Sequence, residues 1–256
     1  MNNLKKAFEN GKAFIPFITA GDPDLETTEK LIYAMAENGA DLIELGIPFS
    51  DPVAEGDTIQ KADMRALSAG TTTDKIFGLV LKAREKCDVP IAFMTYANVV
   101  FGYGADIFFE KCKKCGICAL ILPDIPFEEK NEFAIQAKNN DVKLISFIAP
   151  TSHERIKMIS KSAEGFIYCV SSLGVTGVRS NITTDINSMI KLAKSVTDIP
   201  CCVGFGISTP EQAKEISSYS DGVIVGSAIV KIIEKYGTDS IKYVSEYVKE
   251  MKESIK

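Results

Sequence analysis

The sequence contains no tryptophan and only one histidine, His153, among 256 residues. His153 stands at a predicted helix start in residues 151–155, far along the chain from the motifs described below. No Ser-His-Asp arrangement is therefore available for nucleophilic catalysis. We expect His153 to have a surface or helix-capping role.

Blocks of basic residues and long apolar runs are also absent. The net charge is −5, so we do not expect binding to nucleic acid, which depends on neutralising phosphates. No stretch approaches the roughly 18 apolar residues of a membrane-spanning helix, and the first ten residues lack the apolar segment of a signal peptide. These features predict a cytoplasmic protein with no membrane partner.

The seven cysteines show no spacing typical of a small disulfide-rich domain, which fits a reducing cytosol. Cys112, Cys115 and Cys118 have the spacing of a metal or cluster motif. However, no fourth ligand lies nearby, and Cys118 begins an apolar, strand-like run. We expect these cysteines to be structural and predict no metal site.

Apolar, strand-like runs recur along the chain and alternate with helical patterns. Continuous apolar runs separated by helices are typical of parallel strands covered on both faces. The predicted strands are 14–19, 41–45, 90–95, 117–122, 142–147, 165–170, 200–204 and 222–225.

Helix signals lie between these runs. Asp22 and Pro23 suit the N-cap and first turn of a first helix, and Gly39 suits its end. Further helices are predicted over 72–86, 128–139, 152–162, 185–196, 210–217 and 240–256. Eight strand–helix units in about 250 residues match the size of a (β/α)8 TIM barrel. We therefore predict an α/β fold, with residues 1–256 as one TIM-barrel domain and extra N-terminal and C-terminal helices.

A doubly wound open sheet is the alternative fold. It would normally carry a Gly-x-Gly-x-x-Gly turn after the first strand, and the sequence has none.

Two carboxylates have unusual positions. Glu44 ends an apolar run that reads as a buried strand, where an unpaired charge costs several kcal/mol. Glu55 follows in a loop that contains Pro48, Pro52 and Gly56. A carboxylate in apolar surroundings has a raised pKa and can act as an acid or base near neutral pH. The alternatives are a structural Glu44 held by an arginine or a backbone amide, and a solvated turn around Glu55.

Three glycine-bearing turns follow predicted strands in the last third of the chain, at 174–177, 204–208 and 225–228. Glycine lets backbone N–H groups approach an anion, and a helix N-terminus adds partial positive charge. In TIM barrels the late loops commonly hold a phosphate. We therefore predict a small-molecule substrate that carries a phosphate.

The segment 44–60 reads Glu-Leu-Gly-Ile-Pro-Phe-Ser-Asp-Pro-Val-Ala-Glu-Gly-Asp-Thr-Ile-Gln. It closely resembles the signature of the tryptophan synthase α subunit family, Glu-Leu-Gly-x-Pro-x-Ser-Asp-Pro-x-Ala-Asp-Gly-Pro-x-Ile-Gln. Further matching pieces occur in the family's order over nearly the full length, at 17–22, 94–98, 123–126, 166–168, 174–177, 204–208 and 226–230.

The resemblance implies a lyase of tryptophan biosynthesis that needs no cofactor in this chain. It would cleave indole-3-glycerol phosphate by a retro-aldol reaction to indole and glyceraldehyde 3-phosphate. The family's proton-shuttling glutamate falls on Glu44, and its second catalytic carboxylate falls on Glu55, which would hold the indole N–H. Tyr168 matches a tyrosine near the reacting carbon.

The resemblance also assigns residues that bind substrate. Phe17, Tyr96 and Ile125 would wall the indole pocket, and Thr176 would lie on a mobile loop, 171–183, that closes over substrate. The phosphate contacts fall on Gly177, Gly206, Gly226 and Ser227.

The chain departs from the family pattern at the second carboxylate. The family has aspartate followed by Gly-Pro, whereas this sequence has Glu55 followed by Gly56 and Asp57. Glutamate keeps the charge but extends the carboxylate by about 1 Å, and misplacement of that size can cost ~100-fold in rate. A catalytically weak regulatory subunit is therefore an alternative function.

The partner that the resemblance implies is the tryptophan synthase β subunit, which carries pyridoxal phosphate, in an α2β2 heterotetramer. The loop 48–56 would form the docking surface, with Asp51 and Pro52 as contacts. A free-standing, indole-releasing lyase is one alternative. A sugar-phosphate isomerase or aldolase is another, although no lysine stands at a predicted strand end for a Schiff base.

Overall fold

The computed structural model describes residues 3–170, 183–204 and 206–256. The strand segments in these ranges are β1 Ala13–Thr19, β2 Ile43–Gly46, β3 Ile91–Met94, β4 Ile117–Ile121, β5 Lys143–Leu144, β6 Ser146–Ile148, β7 Ile167–Val170, β8 Cys201–Gly204 and β9 Gly222–Val225. They form one sheet in the order β5-β4-β3-β2-β1-β9-β8-β7-β6, and all the recorded pairs are parallel.

The two ends of this order, β5 and β6, are consecutive in the chain and separated only by Ile145. The N–H of Ile145 donates to the Leu120 carbonyl of β4 at 3.0 Å, and the next residue begins the pairing with β7. The sheet therefore closes through a single segment and confirms the predicted (β/α)8 barrel. The single fifth strand predicted over 142–147 is divided because its pairing changes from β4 to β7 at Ile145.

Helices surround the sheet. They are α1 Leu25–Glu37, α2 Asp57–Ser68, α3 Thr73–Arg84, α4 Ala97–Tyr103, α5 Ala105–Lys114, α6 Asn131–Asn139, α7 His153–Lys161, α8 Thr183–Lys194, α9 Pro210–Ser217, α10 Ser227–Tyr236 and α11 Ser240–Ser254. Short 3-10 helices span Leu4–Phe8, Phe127–Glu129 and Gly237–Asp239. The extra N-terminal helix is thus a 3-10 helix, and the C-terminal one is α11. In the part of the chain that the structure describes, no helix is long and apolar enough to cross a membrane.

The first helix begins later than the sequence predicts. Asp24, and not Asp22, is the N-cap of α1, and its Oδ1 accepts the Thr27 N–H at 2.7 Å. Asp22 cannot cap this helix because its two carboxylate oxygens accept hydrogen bonds from the Arg65 guanidinium. Helices α2, α4 and α5 were absent from the sequence prediction.

The apolar core has two layers, one inside the barrel and one between strands and helices. Successive side chains of a strand point to opposite faces, so adjacent residues enter different layers. On β2, Ile43 and Leu45 pack in the outer layer. Leu42, just before the strand, packs in the inner one. Glu44 has the same parity as Leu42, which directs its carboxylate into the barrel.

Candidate active site

A cavity of about 300 Å³ lies at the carboxyl end of the barrel strands. This is the end at which TIM barrels carry their active sites. The cavity brings together side chains from loops and strands that are far apart in the sequence. It is lined by Phe17, Glu44, Ala54, Glu55, Ile59, Met94, Tyr168, Gly206, Ile207, Ser208, Ile224, Gly226, Ser227, Ala228 and Lys231.

Glu44 is the buried carboxyl group of this cavity. It lies on β2 opposite Phe17 of β1 and Ala92 of β3, and it is 1% exposed. Among the described residues, neither carboxylate oxygen has a hydrogen-bond partner. Burial, with a smaller contribution from the Glu55 charge, raises the pKa of Glu44 to about 8. Glu44 therefore carries a proton at neutral pH and can both give and accept one near it. The alternative of a glutamate held by an arginine or an amide finds no such partner in the described ranges.

Glu55 reaches the cavity from the loop that precedes α2. The Gln60 side chain donates to the Glu55 carbonyl at 2.7 Å, which holds the loop against the helix. Burial raises the pKa of the Glu55 carboxyl, while the neighbouring Asp63 and Tyr96 side chains lower it by hydrogen bonding. The second predicted carboxylate is thus brought to the same cavity as Glu44.

Asp63 is a site residue that the sequence analysis missed. It lies on the buried face of α2 with Ile59, Ala62 and Ala66, and its Oδ2 accepts the Phe49 N–H at 3.4 Å. Burial and the Glu55 charge raise the pKa of Asp63 to about 9. The signal in the sequence was an acidic residue on an apolar stripe at helical spacing, 59, 62, 63 and 66.

Tyr96 supports the Glu55 loop from outside the cavity lining. Its hydroxyl oxygen accepts the Ala54 N–H at 3.1 Å, and its ring packs against Phe49 at 5.2 Å between centroids. Burial raises the pKa of Tyr96, so the hydroxyl keeps its proton. The structure places Tyr96 behind Glu55, and its role in an indole pocket stays a prediction.

Two aromatic side chains line the cavity. Phe17 of β1 and Tyr168 of β7 both line it. Nearby glycines leave the space that the rings occupy: an added Cβ at Gly46 would lie 2.7 Å from the Phe17 ring, and one at Gly204 would lie 2.5 Å from Tyr168. Ile125 instead lines a second cavity, of about 330 Å³, beside α6 and α7.

The predicted phosphate end lies across the cavity. Gly206 adopts a positive φ of 83°, which favours glycine, and Gly226 is the N-cap of α10. Ser227 begins that helix, so the helix N-terminus, with its free N–H groups, borders the cavity. Lys231, one turn further along α10, adds an exposed cation that the sequence analysis missed. The sequence feature that could have identified Lys231 is its position four residues after Ser227 on the same helix.

Two predicted substrate residues, Thr176 and Gly177, lie outside the described residues, as does the rest of 171–182. The predicted partner contacts are in the described part. Asp51 is exposed and Pro52 is half-buried in the loop beside the cavity, and Val53 is 72% exposed.

The cysteine motif and the histidine are apart from this cavity. Cys112, Cys115 and Cys118 are buried in the apolar core. Within the described ranges, no group of three or more His, Cys, Asp or Glu side chains could hold a metal ion. His153 is exposed at the first position of α7, which Ser152 caps.

The whole chain is similar to one family of known proteins. The family model described as "Tryptophan synthase alpha chain" matches residues 1–256. The tryptophan synthase alpha chain of Caldanaerobacter subterraneus is 48% identical over 254 residues, which cover 98% of this chain and 96% of the relative. That of Lacticaseibacillus casei is 44% identical over 255 residues, which cover 100% and 96%.

The fold is likewise similar to solved structures of tryptophan synthase chains. Tryptophan synthase subunit alpha from Legionella pneumophila superposes with a TM-score of 0.89 at 33% identity, covering 100% of this chain and 98% of that one. A chain of the tryptophan synthase α2β2 complex from Pyrococcus furiosus gives a TM-score of 0.86 at 36% identity, covering 94% and 98%.

Proposed function

Because this chain belongs to the tryptophan synthase alpha chain family, and is therefore a lyase of tryptophan biosynthesis, we propose that Glu44 and Glu55 carry out its reaction in the cavity. That reaction is the retro-aldol cleavage of indole-3-glycerol phosphate to indole and glyceraldehyde 3-phosphate. The observation that carries the proposal is Glu44, a buried carboxyl group without a partner among the described residues, at the wall of a cavity that fits a small substrate.

Glu44 acts first as an acid and then as a base. With a pKa of about 8 it holds a proton at neutral pH, and it gives this proton to the indole ring carbon that bears the side chain. As the carbon–carbon bond breaks, the resulting carboxylate takes the proton of the glycerol hydroxyl, which becomes the aldehyde. The proton is returned to Glu44, so the cycle is balanced. Burial favours this exchange because it keeps the pKa near neutral.

Glu55 acts on the indole nitrogen. Its carboxylate accepts the indole N–H and stabilises the positive charge that develops on the ring when the ring carbon is protonated. Tyr168 and Phe17 line the space that the ring would occupy. Tyr96 contributes by holding the loop that carries Glu55.

The phosphate of the substrate binds at the opposite side of the cavity. The backbone N–H groups of Gly206, Gly226 and Ser227, with the N-terminus of α10, are suited to a dianion. Gly177 and Thr176 would complete this end from the loop 171–183, which we propose closes over the substrate. Anchoring the phosphate fixes the reacting carbon against Glu44.

The chain would work as a single TIM-barrel domain over residues 1–256, in the cytoplasm, with no cofactor of its own. Its partner would be the tryptophan synthase β subunit in an α2β2 heterotetramer, and that subunit would hold pyridoxal phosphate. Indole is apolar and would escape through membranes, so direct transfer to a partner is physically sensible. Asp51 and Pro52, on the exposed loop beside the cavity, would contact the β subunit.

The substitution Glu44→Gln tests the acid–base role. It keeps the shape of the side chain but cannot exchange a proton, so we expect indole release to fall by at least about 1000-fold, while binding of glycerol phosphate, measured by calorimetry, stays within about twofold. Glu253→Gln, an exposed glutamate on α11, is the matched control and should leave both quantities unchanged. Indole release by Glu44→Gln at a comparable rate would refute the proposal.

An assay of indole formation also separates the two alternative functions, a free-standing lyase and a catalytically weak regulatory subunit. Indole formation is measured for the purified chain alone and with a β subunit. A fast rate without the partner supports a free-standing lyase, and no indole under either condition supports a regulatory subunit. We expect a slow rate alone that rises when the β subunit is added.

A further inference from the structure

Glu55 has a second carboxyl group, that of Asp63, as its neighbour, and the reaction proposed above does not by itself need one. Asp63 is 4% exposed and lies on the buried face of α2, which begins two residues after Glu55. Both side chains are in hydrogen-bond reach of each other, but only Glu55 lines the cavity. Asp63 therefore acts through Glu55 and not on the substrate.

Among the described residues, no cation is paired with either carboxyl group; Lys231 lines the same cavity but forms no ion pair with Glu55 or Asp63. Arg65, on the same helix, is bonded to Asp22 and Glu234 instead. Two adjacent carboxyl groups, one buried and one half-buried, cannot both ionise at low cost without a paired cation, so one keeps a proton.

The hydrogen bonds around the pair indicate which group keeps it. Glu55 Oε2 is buried and has no donor among the described residues. A proton on Asp63 would supply a donor to the Glu55 carboxylate. Among the described residues, the other groups that face the pair are the Phe49 N–H, which donates to Asp63, the Thr19 hydroxyl beside Asp63, the Tyr96 hydroxyl beside Glu55, and Glu44 on β2.

We propose that Asp63 is a positioning residue that stays protonated at neutral pH and donates a hydrogen bond to the Glu55 carboxylate, so that Glu55 alone carries the charge that accepts the indole N–H. This inference rests on the role proposed for Glu55. It also gives a physical reason why the chain tolerates glutamate where the family pattern has aspartate: the longer side chain is held by a donor on α2. The elevated pKa of Asp63, caused by burial and by the Glu55 charge, agrees with it.

Carbon-13 NMR of the protein labelled at the aspartate carboxyl carbon tests the protonation directly. We expect one signal that is lost in Asp63→Asn to titrate with a midpoint near 9 in the wild type. In Glu55→Gln the neighbouring charge is gone, and the midpoint of the same signal should move to lower pH. A midpoint for Asp63 below about 6 in the wild type, near the ordinary aspartate range, would overturn the inference.

Kinetics test the positioning role. Asp63→Ala removes the donor and should lower kcat for indole release at least about tenfold, with a smaller change in KM, because Glu55 stabilises charge that develops in the transition state. Asp63→Asn should recover most of this loss, since the amide N–H can donate to Glu55. The exposed first-turn acid Asp57 on the same helix provides the control Asp57→Asn. If Asp63→Asn is as impaired as Asp63→Ala, hydrogen-bond donation is not the role of Asp63.

The two proposals can fail separately. An active Glu44→Gln variant would remove the acid–base role of Glu44 and leave the Asp63 titration unaffected. An ordinary Asp63 midpoint would remove the present inference and leave the role of Glu44 intact. The NMR titration needs only the wild-type chain and, to assign the signal, Asp63→Asn, so it gives an answer even if Asp63→Ala does not fold.

Discussion

At the scale of single residues, Glu44 connects function with stability. A buried carboxyl group without a partner is stable only in its neutral form, and the same condition supplies the proton for the proposed reaction. Its pKa is about 8 in the folded chain and near 4.5 as an ordinary glutamate. Between these values the folded chain binds more protons than the unfolded chain does. The free energy of unfolding therefore decreases as the pH rises through this window.

The substitution Glu44→Gln should remove this pH dependence. The contribution of Glu44 is fully present below about pH 4.5 and is lost as the pH rises through about 8, a loss on the order of 5 kcal/mol. Glutamine does not titrate, so the variant should be the more stable protein at about pH 9 and similar to the wild type at about pH 4.5. Urea unfolding at both pH values measures this. Equal pH dependence in the two proteins would show that Glu44 titrates normally.

Some residues of the proposed site could be predicted from the sequence and others could not. Glu44 and Glu55 could be predicted because each is a charged residue in an unusual local context, and the late glycines because their turns follow apolar runs. Asp63 could not be predicted in the same way. Helix α2 was not predicted, and the role of Asp63 depends on the path of the loop from Phe49 to Glu55. That path is fixed by tertiary contacts, such as the one between Ala54 and Tyr96.

At the scale of elements, α2 connects the chemical end of the site with the phosphate end. It carries Asp63 on its buried face, and its Arg65 binds Asp22 after β1 and Glu234 of α10. The Asp22 side chain is buried, so Arg65 balances a charge that water cannot reach. This contact fixes α2 against α10, the helix whose N-terminus borders the cavity.

Replacing Arg65 by glutamine should destabilise the protein by about 3 kcal/mol, because the buried Asp22 charge loses its partner. Lys30→Gln is the matched control: it also breaks an ion pair, with Glu26, but both side chains of that pair are exposed, so only a small loss of stability is expected. Urea unfolding at neutral pH measures both. Similar small losses in the two variants would show that the ion pair between Arg65 and Asp22 contributes no more stability than an exposed ion pair.

The elements themselves were predictable where the local signal was complete. The helix 210–217 matches the structure because Thr209 forms a capping box with Gln212 and Pro210 occupies the first turn. The division between β5 and β6 was not predictable, because apolar periodicity is continuous over 142–147 and the change of partner at Ile145 is decided by closure of the barrel. The start of α1 was misplaced because Asp22 and Asp24 are equally good caps by residue type, and only the contact with Arg65 separates them.

At the scale of the whole molecule, closure of the barrel brings the two ends of the site together. Glu44 and Glu55 come from the first quarter of the chain, whereas Gly206, Gly226 and Ser227 come from its last quarter. The pairing of β1 with both β2 and β9 makes these distant segments neighbours. The loop that carries Glu55 also carries the exposed residues Asp51 and Val53. A partner that binds this loop would therefore act on a segment directly connected to Glu55, the proposed catalytic carboxylate.

The exposed Val53 gives a test of the docking surface. Val53 is 72% exposed in the loop that we propose contacts the β subunit. Val53→Asp would place a charge in that interface and should weaken binding of the β subunit at least about tenfold, or about 1.4 kcal/mol.

The matched control is Leu81→Asp, which also charges an exposed apolar residue, but near the C-terminal end of α3. Helices of the barrel run back from the carboxyl ends of the strands, so the end of α3 lies toward the opposite face. Affinity is measured by calorimetry with the purified β subunit. Equal affinities for Val53→Asp, Leu81→Asp and the wild type would place the partner elsewhere on the barrel. A loss of affinity confined to Val53→Asp would show that the partner binds the same short loop that carries Glu55.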